Sequence, residues 1–182
     1  QLSGEGADRV IAFSSGNHGI GVAYAAKCLE MNATIVVPHD APKAKIDRIR
    51  HLGGEIVLYD RVSEDREQVA SALQDKNPAP LVKPYDDWQT IAGQGTCGAE
   101  VIVQAPESID AAIICTGGGG LAAGIGTYLK SRSLATRIFT AEPQGWHDHQ
   151  LSFQSGRRIE ALGDGALWCD GLLAPIPGEL TC

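Results

Sequence analysis

The sequence predicts an α/β fold with two lobes, each built on an open parallel sheet, the second of them incomplete. Short apolar or β-branched runs alternate with amphipathic stretches of helical length, which is the pattern of βαβ units around a parallel sheet. Proline, aspartate and glycine interrupt this pattern in residues 83–95, which indicates a crossing between lobes. Few strands are predicted after the crossing. We therefore expect a small α/β domain over residues 8–86 and part of a larger domain over residues 87–182.

The predicted strands share short apolar or β-branched runs, and the predicted helices share apolar residues three and four positions apart. Strands are predicted at residues 9–13, 34–37, 55–58, 81–83, 111–115 and 137–140. Helical spacing joins Val22, Ala25, Ala26 and Leu29, then Ile46, Ile49 and Leu52, and then Val69, Ala72 and Leu73. The glycine pair at 53–54 is a stop signal for the second of these helices. Two further helices are predicted over about 94–103 and 120–129.

Composition and charge argue against several classes of protein. The 182 residues are 43% hydrophobic and 20% charged, which is typical of a folded globular protein. A net charge of -7 argues against binding to the phosphate backbone of nucleic acids. No apolar run approaches the roughly 20 residues of a membrane-spanning helix and no secretory leader opens the sequence, so we expect a cytoplasmic protein. The five cysteines show no CxxC spacing and are expected to be buried free thiols.

The first functional motif is the sequence SSGNHG at residues 14–19, between a predicted strand and a predicted helix. Free backbone N–H groups and the positive end of a helix dipole form a site for a carboxylate or a phosphate. Helix capping alone needs one serine or asparagine, whereas this motif has two serines, an asparagine and two glycines. The motif therefore predicts an anion site.

The second motif is a run of four glycines, Gly117, Gly118, Gly119 and Gly120, again between a strand and a helix. Successive residues without Cβ allow backbone amides to converge on a phosphate. A dinucleotide site is the alternative, with Glu142 at the end of the next strand as the ribose-binding acid. The Gly-x-Gly-x-x-Gly frame of such sites fits only with an alanine in place of its last glycine.

Together the two motifs resemble the fold-type II pyridoxal-phosphate (PLP) enzymes, and most nearly the threonine and serine dehydratases and serine racemases. The similarity continues through residues 33–38, 41–45, 91–96, 141–143 and 173–181, so it covers essentially the whole chain. The resemblance implies the two-lobed fold of the tryptophan-synthase β type and a homo-oligomer. In the intact enzyme it implies that L-threonine or L-serine is converted to a 2-oxo acid and ammonia.

The resemblance also implies roles for individual residues. The four glycines and the amide of Leu121 are expected to bind the PLP phosphate, and Asn17 the phenolic oxygen of the pyridine ring. Ser14, Ser15, Asn17 and His18 are expected to receive the substrate carboxylate, with the amides around His18 taking part. In a racemase Ser15 acts in addition as an acid or base on the substrate carbon. Packing at the helix start is the alternative role for the His18 side chain.

Glu142 and Asp148 are similar in spacing to the divalent-cation site of the racemases and some dehydratases. The resemblance therefore implies a metal site with a main-chain carbonyl near Trp146, and two carboxylates with a carbonyl suit Mg²⁺ or Ca²⁺. The alternative is a pair of solvated surface acids. His147 and His149 are expected to be bystanders. The basic residues of the second helix are expected to form its solvated face: Lys43, Lys45, Arg48 and Arg50.

The lysine that binds the cofactor covalently in these enzymes has no counterpart in the chain. Its segment is expected upstream of Gln1, and the residue facing the pyridine nitrogen is expected beyond Cys182. We therefore expect a piece of a longer reading frame that is inactive alone. Serine racemisation and hydroxyaspartate dehydration are alternative activities of the intact enzyme. A noncatalytic ligand-binding or subunit-interaction module, or a nucleotide-dependent oxidoreductase, are alternatives of another class.

Overall fold

The computed structural model describes residues 7–14, 16–105, 107–161, 163 and 167–182. Its contacts divide the chain into two compact units, Gln1–Pro84 and Tyr85–Cys182. In the described part of the chain, no helix combines the length and the apolar character needed to cross a membrane.

The first unit is a four-stranded parallel sheet with helices packed against it. Its elements are β1 (Arg9–Phe13), α1 (Asn17–Cys28), β2 (Asn32–Pro38), α2 (Lys43–His51), β3 (Glu55–Tyr59), α3 (Arg66–Lys76) and β4 (Leu81–Val82). The strand order is β3-β2-β1-β4, and every neighbouring pair is parallel. The predicted α/β class and the predicted strands of this unit are confirmed.

Both faces of this sheet are covered, because β1 and β2 carry apolar residues on both sides. Ala12 and Ile35 pack with α1 and α2 in one core cluster, and Ile11 and Val36 pack with α3 in another. Residues 33–38 of β2 are buried without interruption. A continuous apolar run of this kind is typical of a strand inside a parallel sheet.

The second unit pairs two parallel strands and adds helices. Its elements are α4 (Trp88–Gln104), β5 (Ala111–Cys115), α5 (Gly120–Arg132), β6 (Arg137–Ala141), α6 (Asp148–Ser155) and a 3₁₀ helix (Leu167–Leu172). β5 pairs with β6 in parallel. Ile113 of β5 and Phe139 of β6 are 75% and 47% exposed, as expected for an incomplete sheet.

The start of α4 corrects the prediction that residues 83–95 interrupt regular structure. The helix begins at Trp88, six residues before the predicted position, because the Asp87 carboxylate accepts hydrogen bonds from the amides of Gln89 and Thr90. Its glycines are tolerated because the α4 backbone packs directly on α5. A Cβ on Gly98, for example, would lie 3.2 Å from the carbonyl oxygen of Ile125.

Candidate functional site

The first predicted anion turn lies where β1 passes into α1. The Ser14 amide donates to the carbonyl of Val36 at 3.0 Å, which continues the pairing of β1 with β2. The Ser14 hydroxyl oxygen accepts a hydrogen bond from the Gly16 amide at 3.0 Å. Its hydroxyl proton can still be donated to a ligand. Ser15 lies outside the described residues.

The start of α1 has the electrostatics of an anion site. Gly16 is the N-cap, no side chain caps the helix, and its first turn holds no acidic residue. The first-turn amides and the helix dipole therefore present positive charge at this end. A Cβ on Gly19 would lie 3.0 Å from Cγ2 of Ile35, so glycine lets α1 approach β2 closely.

Lys45 adds positive charge to this turn. Its Nζ lies 3.4 Å from the position that a Cβ of Gly16 would occupy. The prediction that all basic residues of α2 form a solvated face is therefore wrong for Lys45, which is only partly exposed. Lys43 remains at the surface, where it pairs with Asp47.

The side chain of His18 has a structural partner. Its Nε2 hydrogen-bonds the carbonyl oxygen of Val82 in β4 at 3.0 Å. Burial lowers the pKa of the imidazole, and the bond to Val82 opposes this in part. The imidazole thus joins α1 to β4, and any carboxylate binding at this position falls to the backbone amide. The expected roles of Ser14, Asn17 and His18 toward a substrate stay predictions.

The glycine turn in the second unit joins β5 to α5. Gly119 is the N-cap of α5 and has φ 91°, a left-handed conformation that favours glycine. As a glycine, this N-cap has no side chain to cap α5, and the first turn of the helix holds no acidic residue. The amides at this helix start are therefore positioned to bind an anion.

Packing requires the glycines as well. A Cβ on Gly118 would overlap the ring of Tyr85, and a Cβ on Gly117 would lie 3.1 Å from Cα of Leu172. A Cβ on Gly119 would lie 2.6 Å from Cε1 of His149 and 2.7 Å from Cβ of Thr181. The turn is thus held by its neighbours, so the glycines do more than confer flexibility.

Glu142 directly follows β6 and serves as the cap of α6. Its carboxylate oxygens accept hydrogen bonds from the amides of His149, at 2.8 Å, and Gln150, at 2.9 Å. Both oxygens of the predicted ribose-binding acid are therefore engaged with α6.

Asp148 is a fully buried carboxylate at the start of α6. Neither of its oxygens has a hydrogen-bond partner among the described residues, and the same holds for the indole nitrogen of Trp146. Burial, and to a smaller extent the charge of Glu142, raises the pKa of Asp148 to about 6. The described residues contain no group of three or more His, Cys, Asp or Glu side chains arranged for a metal. The predicted ligand set, with two carboxylates and one carbonyl, stays a prediction.

Comparison with known proteins places these features in one family. The sequence profile of the pyridoxal-phosphate-dependent enzymes matches residues 1–181. L-threo-3-hydroxyaspartate ammonia-lyase of Pseudomonas sp is 40% identical over 162 residues, which cover 86% of this chain and 50% of that protein. Serine racemase of Oryza sativa subsp. japonica is 39% identical over 177 residues, which cover 97% and 51%.

A solved structure agrees with the sequence comparisons. The processed form of threonine deaminase isoform 2 from Solanum lycopersicum superposes with a TM-score of 0.85 and 38% identity, covering 96% of this chain and 50% of that one. The chain thus spans about half the length of these relatives.

Proposed function

Since the chain belongs to the family of pyridoxal-phosphate-dependent enzymes, we propose that it supplies the phosphate and substrate-carboxylate sites of a longer dehydratase. That enzyme converts L-threonine or L-serine to a 2-oxo acid and ammonia. The glycine turn at the start of α5, with φ 91° at Gly119, a glycine as the N-cap and no acid in the first turn, carries this proposal.

The phosphate end of PLP fits this turn. A dianionic phosphate needs several N–H donors and positive potential, which converging backbone amides and a helix N-terminus provide. The amides of Gly118, Gly119, Gly120 and Leu121 would hold it. When bound, PLP supplies an electron sink that stabilises negative charge on the substrate α-carbon.

The first turn would hold the substrate and orient the cofactor ring. Asn17 would donate a hydrogen bond to the ring phenolic oxygen. The Ser14 hydroxyl and the amides of the first turn of α1 would bind the substrate carboxylate, with Lys45 adding charge attraction. In a racemase Ser15 would exchange a proton with the substrate α-carbon. These roles rest on the resemblance and on the anion-binding electrostatics of the turn.

Net dehydration removes the α-proton and the β-hydroxyl of the substrate as water, and a second water then releases ammonia. Removal of the α-proton needs a positioned base. The lysines of the chain are Lys27, Lys43, Lys45, Lys76, Lys83 and Lys130, and none stands in the sequence context of the cofactor-binding lysine. We propose that a lysine outside these 182 residues attaches the cofactor and abstracts the proton, so that the chain alone is inactive.

A divalent-cation site is part of the proposal. Glu142, Asp148 and a main-chain carbonyl near Trp146 would bind Mg²⁺ or Ca²⁺, with waters completing the shell. The support is the buried carboxylate of Asp148, whose oxygens have no partner among the described residues. A buried charge without a partner is costly, and a bound cation would remove that cost.

Serine racemisation and hydroxyaspartate dehydration are the alternative activities, because relatives carrying those names match the chain about as well as the threonine deaminase does. A noncatalytic module is the alternative of another class.

The test uses the longer protein that contains this chain, supplied with PLP and with L-threonine, L-serine or L-threo-3-hydroxyaspartate. Formation of 2-oxobutanoate from L-threonine supports the dehydratase, and D-serine as the main product supports the racemase. The absence of any product with all three substrates contradicts an enzymatic role. Homo-oligomerisation and a cytoplasmic location stay predictions.

A further inference from the structure

Two carbonyl groups of the glycine turn are held by donors. The Thr181 hydroxyl donates to the carbonyl oxygen of Gly118 at 2.6 Å. The Ala123 amide donates to the carbonyl oxygen of Gly119 at 2.8 Å, which is the first hydrogen bond of α5. The ring of His149 packs against the same turn, since a Cβ on Gly119 would lie 2.6 Å from its Cε1.

Holding the carbonyls fixes the direction of the amides. In a trans peptide the C=O of one residue and the N–H of the next point to opposite sides, and the described residues contain no cis peptide. The carbonyl of Gly118 faces Thr181, so the amide of Gly119 faces the other way and can donate to an anion on that side.

Both side chains are themselves anchored. The His149 amide is bound by Glu142 at the start of α6. The segment before Thr181 is tied down because the Leu180 amide donates to Asp86 at 2.7 Å and Arg158 donates to the carbonyl of Pro177 at 2.9 Å. The two side chains therefore have fixed positions at the turn.

We propose that Thr181 is a positioning residue of the phosphate site, which turns the amide of Gly119 toward the bound anion by holding the carbonyl of Gly118 behind it. The inference rests on the proposed function, because it concerns the site assigned to the PLP phosphate. The side chain does not touch the ligand. Its effect is on how well the backbone is preorganised before the ligand binds.

The experiment compares the binding of PLP with that of pyridoxal, which lacks the phosphate, to the full 182-residue chain by calorimetry. Thr181→Val keeps the shape of the side chain and removes the donor, and we expect it to lower the PLP-to-pyridoxal affinity ratio about tenfold. Thr181→Ser keeps the hydroxyl and is expected to restore the ratio to within about twofold of the unchanged chain.

Thr96→Val is the matched control. The Thr96 hydroxyl donates to the carbonyl oxygen of Gly93 at 2.7 Å, the same kind of bond in the same unit but in α4. We expect this variant to keep the affinity ratio of the unchanged chain.

A second measurement needs no variant. Inorganic phosphate is titrated into the ¹⁵N-labelled chain, and we expect the amide resonances of Gly118 and Gly119 to move more than those at the start of α1. An unchanged ratio in Thr181→Val would overturn the inference, and so would equal losses of PLP and pyridoxal binding. Stationary Gly118 and Gly119 amides in a chain that binds PLP would overturn it without affecting the proposed function. A chain that binds neither PLP nor phosphate would contradict the proposed function, and the inference with it.

Discussion

Gly124 of α5 lies against Gly95 of α4 so closely that a Cβ on Gly124 would be 2.7 Å from the Gly95 amide nitrogen. The two helices therefore meet backbone to backbone, and this contact fixes the helix that begins at the glycine turn. Small residues at the crossing make such an approach possible.

We predict that Gly124→Ala destabilises the chain by about 1–3 kcal/mol, because the added methyl group would force the helices apart. The measurement is the free energy of unfolding in urea. Gly93→Ala is the control, since a Cβ there meets nothing within 4 Å. This control is expected to be neutral or to stabilise the helix by about 0.5–1 kcal/mol. Equal effects of the two substitutions would contradict the crossing.

A second prediction concerns the N-cap of α4. Asp87→Ala is expected to cost about 1 kcal/mol, because the amides of Gln89 and Thr90 lose their acceptor. Asp87→Ser should retain most of the stability, since serine is also a good N-cap. The measurement is the thermal unfolding of the two variants. Equal losses of stability in both would show that capping of α4 does not explain the effect.

The third prediction follows from the lowered pKa of His18. The unfolded chain binds a proton at this position near pH 6.5, whereas the folded chain resists it, so stability rises with pH across this range. The contribution of His18 is fully present above about pH 6.5 and decreases as the pH falls below that value. NMR titration of the ring should give a pKa below 6.5.

His18→Gln is expected to flatten the pH dependence of stability between about pH 5 and 7, because it removes the titrating group. An unchanged slope would assign the pH dependence to other residues. A ring pKa at or above the ordinary value would contradict the buried contact with Val82.

The fourth prediction tests the candidate cation site. Millimolar Mg²⁺ or Ca²⁺ should raise the unfolding temperature of the chain relative to the same chain in chelator, because a ligand bound only to the folded state stabilises it. Asp148→Asn should abolish this response. In the presence of chelator, the Asp148→Asn variant should be at least as stable as the unchanged chain, since the substitution removes a buried carboxylate without a partner.

Asp75→Asn on the exposed surface of α3 is the control, and it should keep the response to the cation. If the unchanged chain shows no response to either cation, the metal site is wrong. A response that survives in Asp148→Asn would place the cation elsewhere.

The fifth prediction is that the purified chain mixed with PLP and L-threonine yields no 2-oxobutanoate above a blank of PLP alone. The reason is the absence of a lysine in the expected context among its 182 residues. A coupled assay for the oxo acid is sufficient. Clear turnover would show that one of the present lysines serves as the base.

Local pattern was enough to predict the strands and the two turns. The strand 9–13 and the strand 111–115 were predicted with the bounds that the structure has, because apolar runs end abruptly at serine or glycine. The start of α4 was missed because its first turn depends on capping by Asp87 and packing on α5, which leave little apolar periodicity in the sequence.

Long-range contacts at the candidate site were beyond the reach of local pattern. Thr181 lies 63 residues from the carbonyl that it binds, and no spacing rule connects them. His149 was expected to be a bystander because the resemblance gave it no role as a metal ligand, yet its ring lies against the glycine turn. The capping role of Glu142 had one signal in the sequence, an acidic residue shortly before a helix start. That signal could not be used because α6 itself was not predicted.

The exposed side chains of β5 and β6 affect how the isolated chain should be handled. Ile113 and Phe139 offer apolar surface on strands whose outer edges have no strand neighbour in the described part of the chain, and such edges pair readily with other chains. A concentrated sample should therefore form aggregates by edge-to-edge strand addition. We expect the particle mass to rise with protein concentration and to fall when Ile113 is replaced by lysine. This result would show that the association is nonspecific aggregation and is separate from the assembly of the intact enzyme.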